Sequence, residues 1–519
     1  MIRWGGLAGS MLIAVAAYLG GSPYARGTTV TPGSMLAGRQ GLLLPLCWVL
    51  GLAALLCAWW FGRHRVPSTR WALVTVGLWM IPVLPMLPLG SEDIYSYACQ
   101  GFVQHAGGDP YAGGVQGFGC PWLGSVSTTW RTSPAPYGPL FLLLAGWAVA
   151  LGHSLAGVIA GLRVIALAGL ALIAVGLPVL ARRSGIDPAR AVWTVLACPL
   201  VLIHLVSGAH NDALMMGLLV AGLALIPGRP ARGEPVAGRP AQPARVASSP
   251  TPPAAGRATP AAGRATPAAG SPAPAAGSPT PAAGGVSVSV LFAGRSVALM
   301  LVAAGVALGL AVAVKATAVV VLPFAVLAAL PPGAPVRALW RPTALIAAGA
   351  AGAAGLASLA SGRGLGWVAG LLRSGDTVAW TSPSTAVGLT AELVTGPGAV
   401  GVTRVLGVLL LAVLLPLLWW RARAGSPLPA AGVALGVTVL CAPVFHPWYA
   451  FWPLAVLAAT TAERRWVLGL CALAATLTLP AGYNWALFTR VPGAIVVTVT
   501  LVALAFLGVR RFRHRRVFG

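Results

Sequence analysis

Apolar stretches of about 15 to 24 residues recur along nearly the whole chain, each long enough to cross the roughly 30 Å core of a bilayer as a helix. Inside lipid every backbone polar group must be satisfied within its own segment, so such stretches fold as helices. Charged residues make up only 8% of the 519, where a soluble domain carries about 25%. Hydrophobic residues reach 57% and mean hydropathy is +0.84. The fold class implied is an all-α polytopic membrane protein. The first apolar stretch follows only Arg3 and lacks a clear small-x-small cleavage site, so it reads as a retained helix rather than a signal peptide.

The pattern predicts about 14 transmembrane helices, near 6–21, 41–61, 71–90, 157–180, 191–207, 211–227, 296–314, 316–331, 343–360, 402–420, 427–445, 449–461, 466–482 and 493–509. Residues 228–295 interrupt the series. Within them "PAAGRAT", "PAAGRAT", "PAAGSPA" and "PAAGSPT" repeat, and the proline in each repeat excludes a coiled coil. With almost no large apolar side chains, this segment reads as a disordered linker. The organisation expected is an N-terminal transmembrane region, 1–227, carrying a polar loop at 91–136. The linker, a C-terminal transmembrane region at 296–509 and a basic tail at 510–519 follow.

The formal net charge is +25, and all but one of the 34 basic residues is arginine. They form no basic face of a folded domain and sit between helices, so nucleic acid is not the expected partner. Short basic loops mark the cytoplasmic side, which assigns 62–70, 181–190, 228–295, 332–342, 421–426, 463–465 and the tail to it. The segment 137–157 is apolar enough to cross, but a full crossing there would put Arg182, Arg183 and Arg190 outside. It is therefore expected to be half-inserted or to lie at the outer surface. The polar segments 91–136, 207–212, 361–401, 446–449 and 483–490 and Lys315 then share the extracytoplasmic face.

Those segments hold the candidate site residues. Glu92 and Asp93 are two of only nine acidic residues and stand together where a hydrophobic segment ends. Either they mark the water interface or one serves as a general base for an acceptor hydroxyl. The residues after them, "DIYSYACQGF", read as an amphipathic helix lying along the membrane. Asp109, in "GDPY", belongs to a turn. Arg131 either pairs with a phosphate through its planar fork or anchors its loop. His210, Asn211 and Asp212 interrupt hydrophobic helices, where polar groups are costly unless they serve a site; Asn211 or Asp212 also suits a helix N-cap. His210 with Asp212 gives two metal-ligand types, too few to assign a metal. Lys315 is the one lysine, and a compact ammonium suits a phosphate leaving group, the alternative being a snorkelling interfacial side chain. His446, Trp448 and Tyr449 form either a rim on which a sugar face stacks or part of an interfacial aromatic belt.

Cys47, Cys57, Cys198, Cys441 and Cys471 lie in apolar segments and read as packing residues. Cys99 and Cys120 share one polar loop on a face that permits disulfides, so a bond between them stays open, subject to their Cα atoms lying within about 7 Å.

"EDIYSYACQG", "GGDPYAGG", "APYGPLFLLLA", "PLVLIHLVSGAHNDALMMGLLVAG", "VKATAVVVLPF" and "HPWYAFW" together resemble the actinobacterial polyprenyl-phosphate-mannose-dependent alpha-1,6-mannopyranosyltransferases. The resemblance covers about residues 1 to 500 and is most specific over 91 to 220. It implies the C-type integral-membrane glycosyltransferase fold, with a first extracytoplasmic loop that is catalytic. It also implies a polyprenyl-phosphate mannose donor, a lipid-anchored mannan acceptor of the lipomannan type, and no nucleotide cofactor. Phosphatidylinositol-mannoside elongation, or less readily a lipid flippase, is the alternative. By position, Asp93 matches the family's loop aspartate, Asn211 and Asp212 its "HND", and Lys315 its membrane lysine. Asp93 is thus the expected catalytic base with Glu92 beside it, and Lys315 and Arg131 the donor-phosphate residues. Tyr95, Tyr137, His210, Asn211, Asp212, His446, Trp448 and Tyr449 are expected to bind the sugar or the acceptor. Residue 92 departs from the family pattern, where a basic or neutral residue is expected, as does Cys198, where Asn is expected.

Overall fold

The computed structural model describes residues 1–20, 42–227, 288–368, 378–462, 465–480 and 485–517. Residues Met1–Arg229 with Val297–Gly519 form one compact unit. Helices supply the regular architecture of the described residues. They are α1 Ile2–Gly20, α2 Leu43–Gly62, α3 Thr69–Met80, α4 Asp93–His105, α5 Pro139–Gly152, α6 Leu155–Arg183, α7 Pro188–Leu196, α8 Asp212–Leu225 and α9 Val288–Val314. After these come α10 Leu322–Ala328, α11 Trp340–Ala360, α12 Pro383–Thr395, α13 Ala399–Ala424, α14 Pro427–Cys441, α15 Phe451–Thr460, α16 Arg465–Leu477 and α17 Arg490–Val517. Among the described residues, seven helices are long and apolar enough to cross a membrane, or eight if one bent pair counts as a span. The protein is a multi-pass membrane protein.

Each predicted segment contains helix among the described residues, but several are shortened or broken, and proline marks the breaks described next. The segment expected to run from 71 to 90 stops at Met80, before Pro82, Pro85 and Pro88, each of which lacks an N–H and clashes with the preceding turn. The expected 191–207 helix breaks around Pro199 into α7 and a π-helical turn, Val201–Ser207, bent by 67°. The expected 316–331 helix is a 3-10 segment, Ala316–Val321, followed by α10 with Pro323 in its first turn. Lys315 itself is extended (φ −153°, ψ 119°), so it stands at a break between α9 and that segment.

Broken helices leave carbonyls without partners inside an apolar bundle, and one buried cation collects them. Arg163 of α6 donates to Leu84 O (2.6 Å), to Met86 O (2.7 Å) and to Ser207 O (3.0 Å). Ser207 Oγ in turn accepts from Leu89 N at 2.9 Å. The strand of chain leading to Asp93 and the π-helical turn leading to His210 are thereby fastened to the same point.

The helix ends sort into two groups. Arg183, Ile226, Ala328, Ser426 and Thr460, at the ends of α6, α8, α10, α14 and α15, surround one cavity of about 290 Å³. The opposite ends of α8, α9 and α14 carry Asp212, Lys315 and Ala442. At the centre lies α15, all ten of whose residues are buried. α6 and α8 cross backbone to backbone where Gly169 meets Gly217, a contact that any Cβ would prevent. α5 has 14 residues, about 21 Å, short of a bilayer core. It turns back at His153 into α6, whose Gly161 packs on Ala148, so the two run antiparallel.

Two expectations need correction. α4 is not a half-exposed amphipathic helix: Asp93 to Gly101 are all buried, against α5, α6 and the loop that follows. Its apolar period reflects packing on neighbours rather than on lipid. The linker expected over 228–295 lies outside the described residues up to 287, but its last part is helical, since α9 begins at Val288. The tail expected from 510 continues α17 to Val517. Cys99 and Cys120 form a disulfide with Cα atoms 5.5 Å apart.

Candidate active site

Gly90 starts the site. Its φ of +76° places it in the left-handed region that favours glycine, packed against Ile203, His204 and Thr478. The turn delivers Asp93 as the first residue of α4, where Ser91 Oγ accepts from its backbone N–H at 3.1 Å. A carboxylate in a first helical turn faces the positive end of the helix dipole. Trp130 Nε1 donates to Asp93 Oδ1 at 3.0 Å, and His210 Nδ1 lies 3.8 Å from Oδ2.

Asp93 faces a cavity of about 450 Å³, which Tyr137, Lys315, His446, Trp448 and Tyr449 also line. Six of the candidate residues, drawn from four separate stretches of sequence, therefore meet around one space. Lys315 is held there by Asp212, whose two oxygens lie 3.0 and 3.1 Å from Nζ. Asp212 Oδ1 also accepts from Trp452 Nε1 at 2.6 Å. The ammonium sits 4.4 Å from the Tyr449 ring centre and 5.1 Å from that of Trp452. An ammonium has three donors, so pairing with one carboxylate leaves a further donor for a substrate oxygen.

Aromatic stacking fixes the far wall. The Trp448 indole lies between two imidazoles, His210 (centroids 3.8 Å, 25°) and His446 (4.7 Å, 3°). His210 Nδ1 also hydrogen-bonds Tyr97 OH at 2.9 Å. Ala209, just before it, has φ 45°, which is rare for a residue with a side chain; strain of this kind gathers at functional sites.

The remaining candidates lie behind or beside the cavity. His210 and Asp212 back it through Trp448 and Lys315 and do not line it. With both its oxygens engaged by Lys315 and Trp452, Asp212 is not paired with His210 as a metal-ligand set. Asn211 occupies the N-cap position of α8 but makes no capping bond, and its side-chain O and N are buried without a protein partner. Tyr95 is buried away from the cavity. Glu92 is half-buried and also off the lining. Arg131 donates to Val126 O (2.8 Å) and Gly124 O (3.2 Å) of its own loop and is not among the cavity-lining residues. The sequence pattern does not single out Trp130, Trp452 or Arg163. Only Arg163 carried a signal, a lone cation inside "GLRVIALAGLALIAV"; the tryptophans are indistinguishable from the chain's other aromatics.

Burial pushes the Glu92 carboxyl up to about 7, with repulsion from Asp93 adding to it and Arg131 opposing. Burial likewise raises Asp93 to about 6, opposed by the Trp130 and Ser91 hydrogen bonds and by Lys315, while Asp212 adds to it. A carboxylate with a pKa near 6 is still ionised at neutral pH and is more basic than an ordinary aspartate. That suits proton abstraction.

Residues 3–267 match the family described as "Alpha-(1->6)-mannopyranosyltransferase, N-terminal domain", and residues 380–508 match "MptB C-terminal domain". The chain is 31% identical to alpha-(1->6)-mannopyranosyltransferase A of Mycobacterium tuberculosis over 85% of its own length and 76% of the relative's. The chain belongs to the alpha-(1->6)-mannopyranosyltransferase family. It is 29% identical to a probable alpha-(1->6)-mannopyranosyltransferase of Mycolicibacterium smegmatis over 90% and 80% of the two chains. Identity to alpha-(1->6)-mannopyranosyltransferase B of Corynebacterium glutamicum is 32%, over 35% and 31%. No solved structure matches. As a member of this mannosyltransferase family the protein is a glycosyltransferase, and its Asp93–Lys315 cavity lies among the two matched regions and the segment between them.

Proposed function

We propose that the protein transfers mannose from a polyprenyl-phosphate mannose to the growing alpha-1,6-mannan core of a lipid-anchored, lipomannan-type glycan. One observation carries this reading: a basic carboxylate, Asp93, and a fixed cation, Lys315, line the same cavity. Asp93 removes the proton from the acceptor 6-hydroxyl as its oxygen attacks the anomeric carbon. The bond from that carbon to the phosphate oxygen breaks, and polyprenyl phosphate departs with the electron pair. Lys315 faces the phosphate and stabilises its growing charge. His446, Trp448 and Tyr449, held in place by their mutual ring contacts, form the aromatic wall against which a sugar ring packs.

Charge supports the membrane orientation. Arg63, Arg182, Arg183, Arg190, Arg421 and Arg423 belong to segments at the helix ends opposite Lys315 and Asp212, and arginine-rich ends face the cytoplasm. In this reading the cavity opens on the extracytoplasmic side of the cytoplasmic membrane, and α4 and α5 form a cap over it. In the proposed bundle several of the predicted spans are built from broken helices.

The test is transfer. Membranes containing the protein, given labelled polyprenyl-phosphate mannose and a short alpha-1,6-mannoside, should form a longer mannoside with a new alpha-1,6 bond. Transfer to a phosphatidylinositol mannoside alone would move the acceptor assignment, and absence of transfer with either acceptor would overturn the reading.

A further inference from the structure

The active-site cavity has a side opening. One of its lining residues is Val408, in the middle of α13, a 26-residue helix that is long and apolar enough to span the membrane and is hardly covered by the rest of the protein. Val408 is itself 47% exposed. Across from it the lining includes Thr317, two residues after Lys315. Val408 is thus both part of the wall of the cavity that holds Lys315 and part of the lipid-facing surface of α13, and Thr317 of the same wall is only half-buried.

A second cavity, of about 310 Å³, continues along the same two walls. Leu322, Pro323 and Val326 line it from α10, Trp419 from α13 and Ile346 from α11. Its lining is apolar almost throughout. Trp419 Nε1 donates to Pro323 O at 3.1 Å, which ties the two walls together at its floor. Val408, Ala412, Leu415 and Trp419 follow the i, i+4, i+7, i+11 spacing of one helix stripe. At 1.5 Å per residue, Val408 and Trp419 are about 16 Å apart along the axis. The series from Lys315 through Thr317 to Leu322, Pro323 and Val326 runs from cation to grease in a dozen residues.

We propose that the prenyl chain of the lipid-phosphate donor leaves the active-site cavity between Thr317 and Val408 and lies in the apolar groove between α10, α11 and α13. A lipid phosphate needs a cation at its head and an uninterrupted apolar path into the bilayer behind it, and these walls supply both in that order. The opening to lipid lets the donor enter and its spent polyprenyl phosphate leave sideways, while the acceptor approaches from the α4 side. This route rests on the lipid-linked donor proposed above.

The experiment compares two donors in the full chain reconstituted in bilayer discs: a long-chain polyprenyl-phosphate mannose and a short, water-soluble analogue with the same headgroup. Val408→Trp narrows the opening, Ile346→Trp fills the groove, and Val413→Trp adds the same bulk to an exposed part of α13 outside both cavities. The ratio of kcat/KM for the long over the short donor should fall by about ten-fold or more in the first two variants, a size expected from overfilling a packed apolar site. It should stay unchanged in Val413→Trp. An unchanged ratio in Val408→Trp and Ile346→Trp, with active protein, would overturn the route alone. Wild-type protein inactive with both donors would overturn the donor reading and the route with it. Should the variants fail to fold, a long-chain donor carrying a photoreactive group in mid-chain decides: labelling of α10, α11 or α13 supports the route, and labelling confined elsewhere overturns it.

Discussion

The ammonium of Lys315 lies 3.0 and 3.1 Å from the two oxygens of Asp212, a residue 103 positions earlier in the chain. Both side chains are buried, and a buried charge is tolerable only when paired. Asp212 thereby aims Lys315 at the cavity, and the two should act as a unit. Lys315→Met should lower turnover by about 10² or more, the usual effect of losing one electrostatic stabiliser. Asp212→Asn should lower it less, since an amide oxygen can still accept from the ammonium. The double variant should be no worse than Lys315→Met by itself, because a partner has nothing left to position; a double-mutant cycle of mannosyl transfer at matched folded protein measures this. Additive losses would mean that Asp212 acts on substrate independently.

Lys315 and Asp212 stand out in the sequence because charged residues are so rare in this chain, and the family resemblance marks both. Their contact is not legible, since nothing local links two residues on different helices. The same holds for the bundle as a whole. Helix positions follow from hydrophobic runs, whereas Pro82, Pro85, Pro88 and Pro199 convert expected single spans into broken ones whose orphan carbonyls need a remote donor. Arg131 was ambiguous for the opposite reason: an exposed loop arginine suits a phosphate or its own carbonyls equally well until the loop conformation is known.

Arg163 should be the residue on which the site's framework depends. Its guanidinium serves Leu84, Met86 and Ser207, the carbonyls exposed where two helices break. Hydrogen bonds from a charged donor contribute about 1.5 to 3 kcal/mol each, so Arg163→Met should cost at least about 3 kcal/mol of stability. Arg163→Lys, which keeps the charge but loses the fork, should fall between. Thermal unfolding of the detergent-solubilised variants checks the order, and a Met variant as stable as wild type would show that water replaces the guanidinium without penalty.

The Cys99–Cys120 bond closes a loop of 21 residues between α4 and the segment that carries Trp130. Opening a loop of this size returns about 3 kcal/mol of chain entropy to the unfolded state. The Cys99→Ser/Cys120→Ser protein should melt at a lower temperature. Peptide mapping without reductant should find the pair linked in the wild type; two free thiols there would contradict the bond.

The raised carboxyls imply a pH signature. Burial moves the Glu92 carboxyl from 4.5 to about 7 and that of Asp93 from 3.8 to about 6. Between those values the folded protein binds more protons than the unfolded chain, so its stability should decline as pH rises from about 4 to 7. Activity should move the other way. A base works only when deprotonated, so kcat/KM should rise with pH through about 6 and then level off. A profile flat down to pH 4.5 would exclude a base of this kind.

Glu92 stands at the N-cap of α4 and Asp93 is its first residue, and of these two neighbouring carboxylates only Asp93 lines the cavity while Glu92 lies off it. Asp93 also has the partners that a base requires for alignment: Trp130 on one oxygen and His210 near the other. Asp93→Asn keeps the shape and removes the basicity, so turnover should fall by about 10² to 10⁴ at normal membrane levels. Glu92→Gln should reduce turnover far less and keep the rise in activity near pH 6, which belongs to Asp93. It should also stabilise the protein slightly at neutral pH, because it removes a half-buried carboxylate whose charged form burial disfavours. The two variants therefore separate by both rate and profile. Loss of the pH-dependent rise in Glu92→Gln, with substantial activity left in Asp93→Asn, would transfer the role of base to Glu92 and require the loop to move before catalysis.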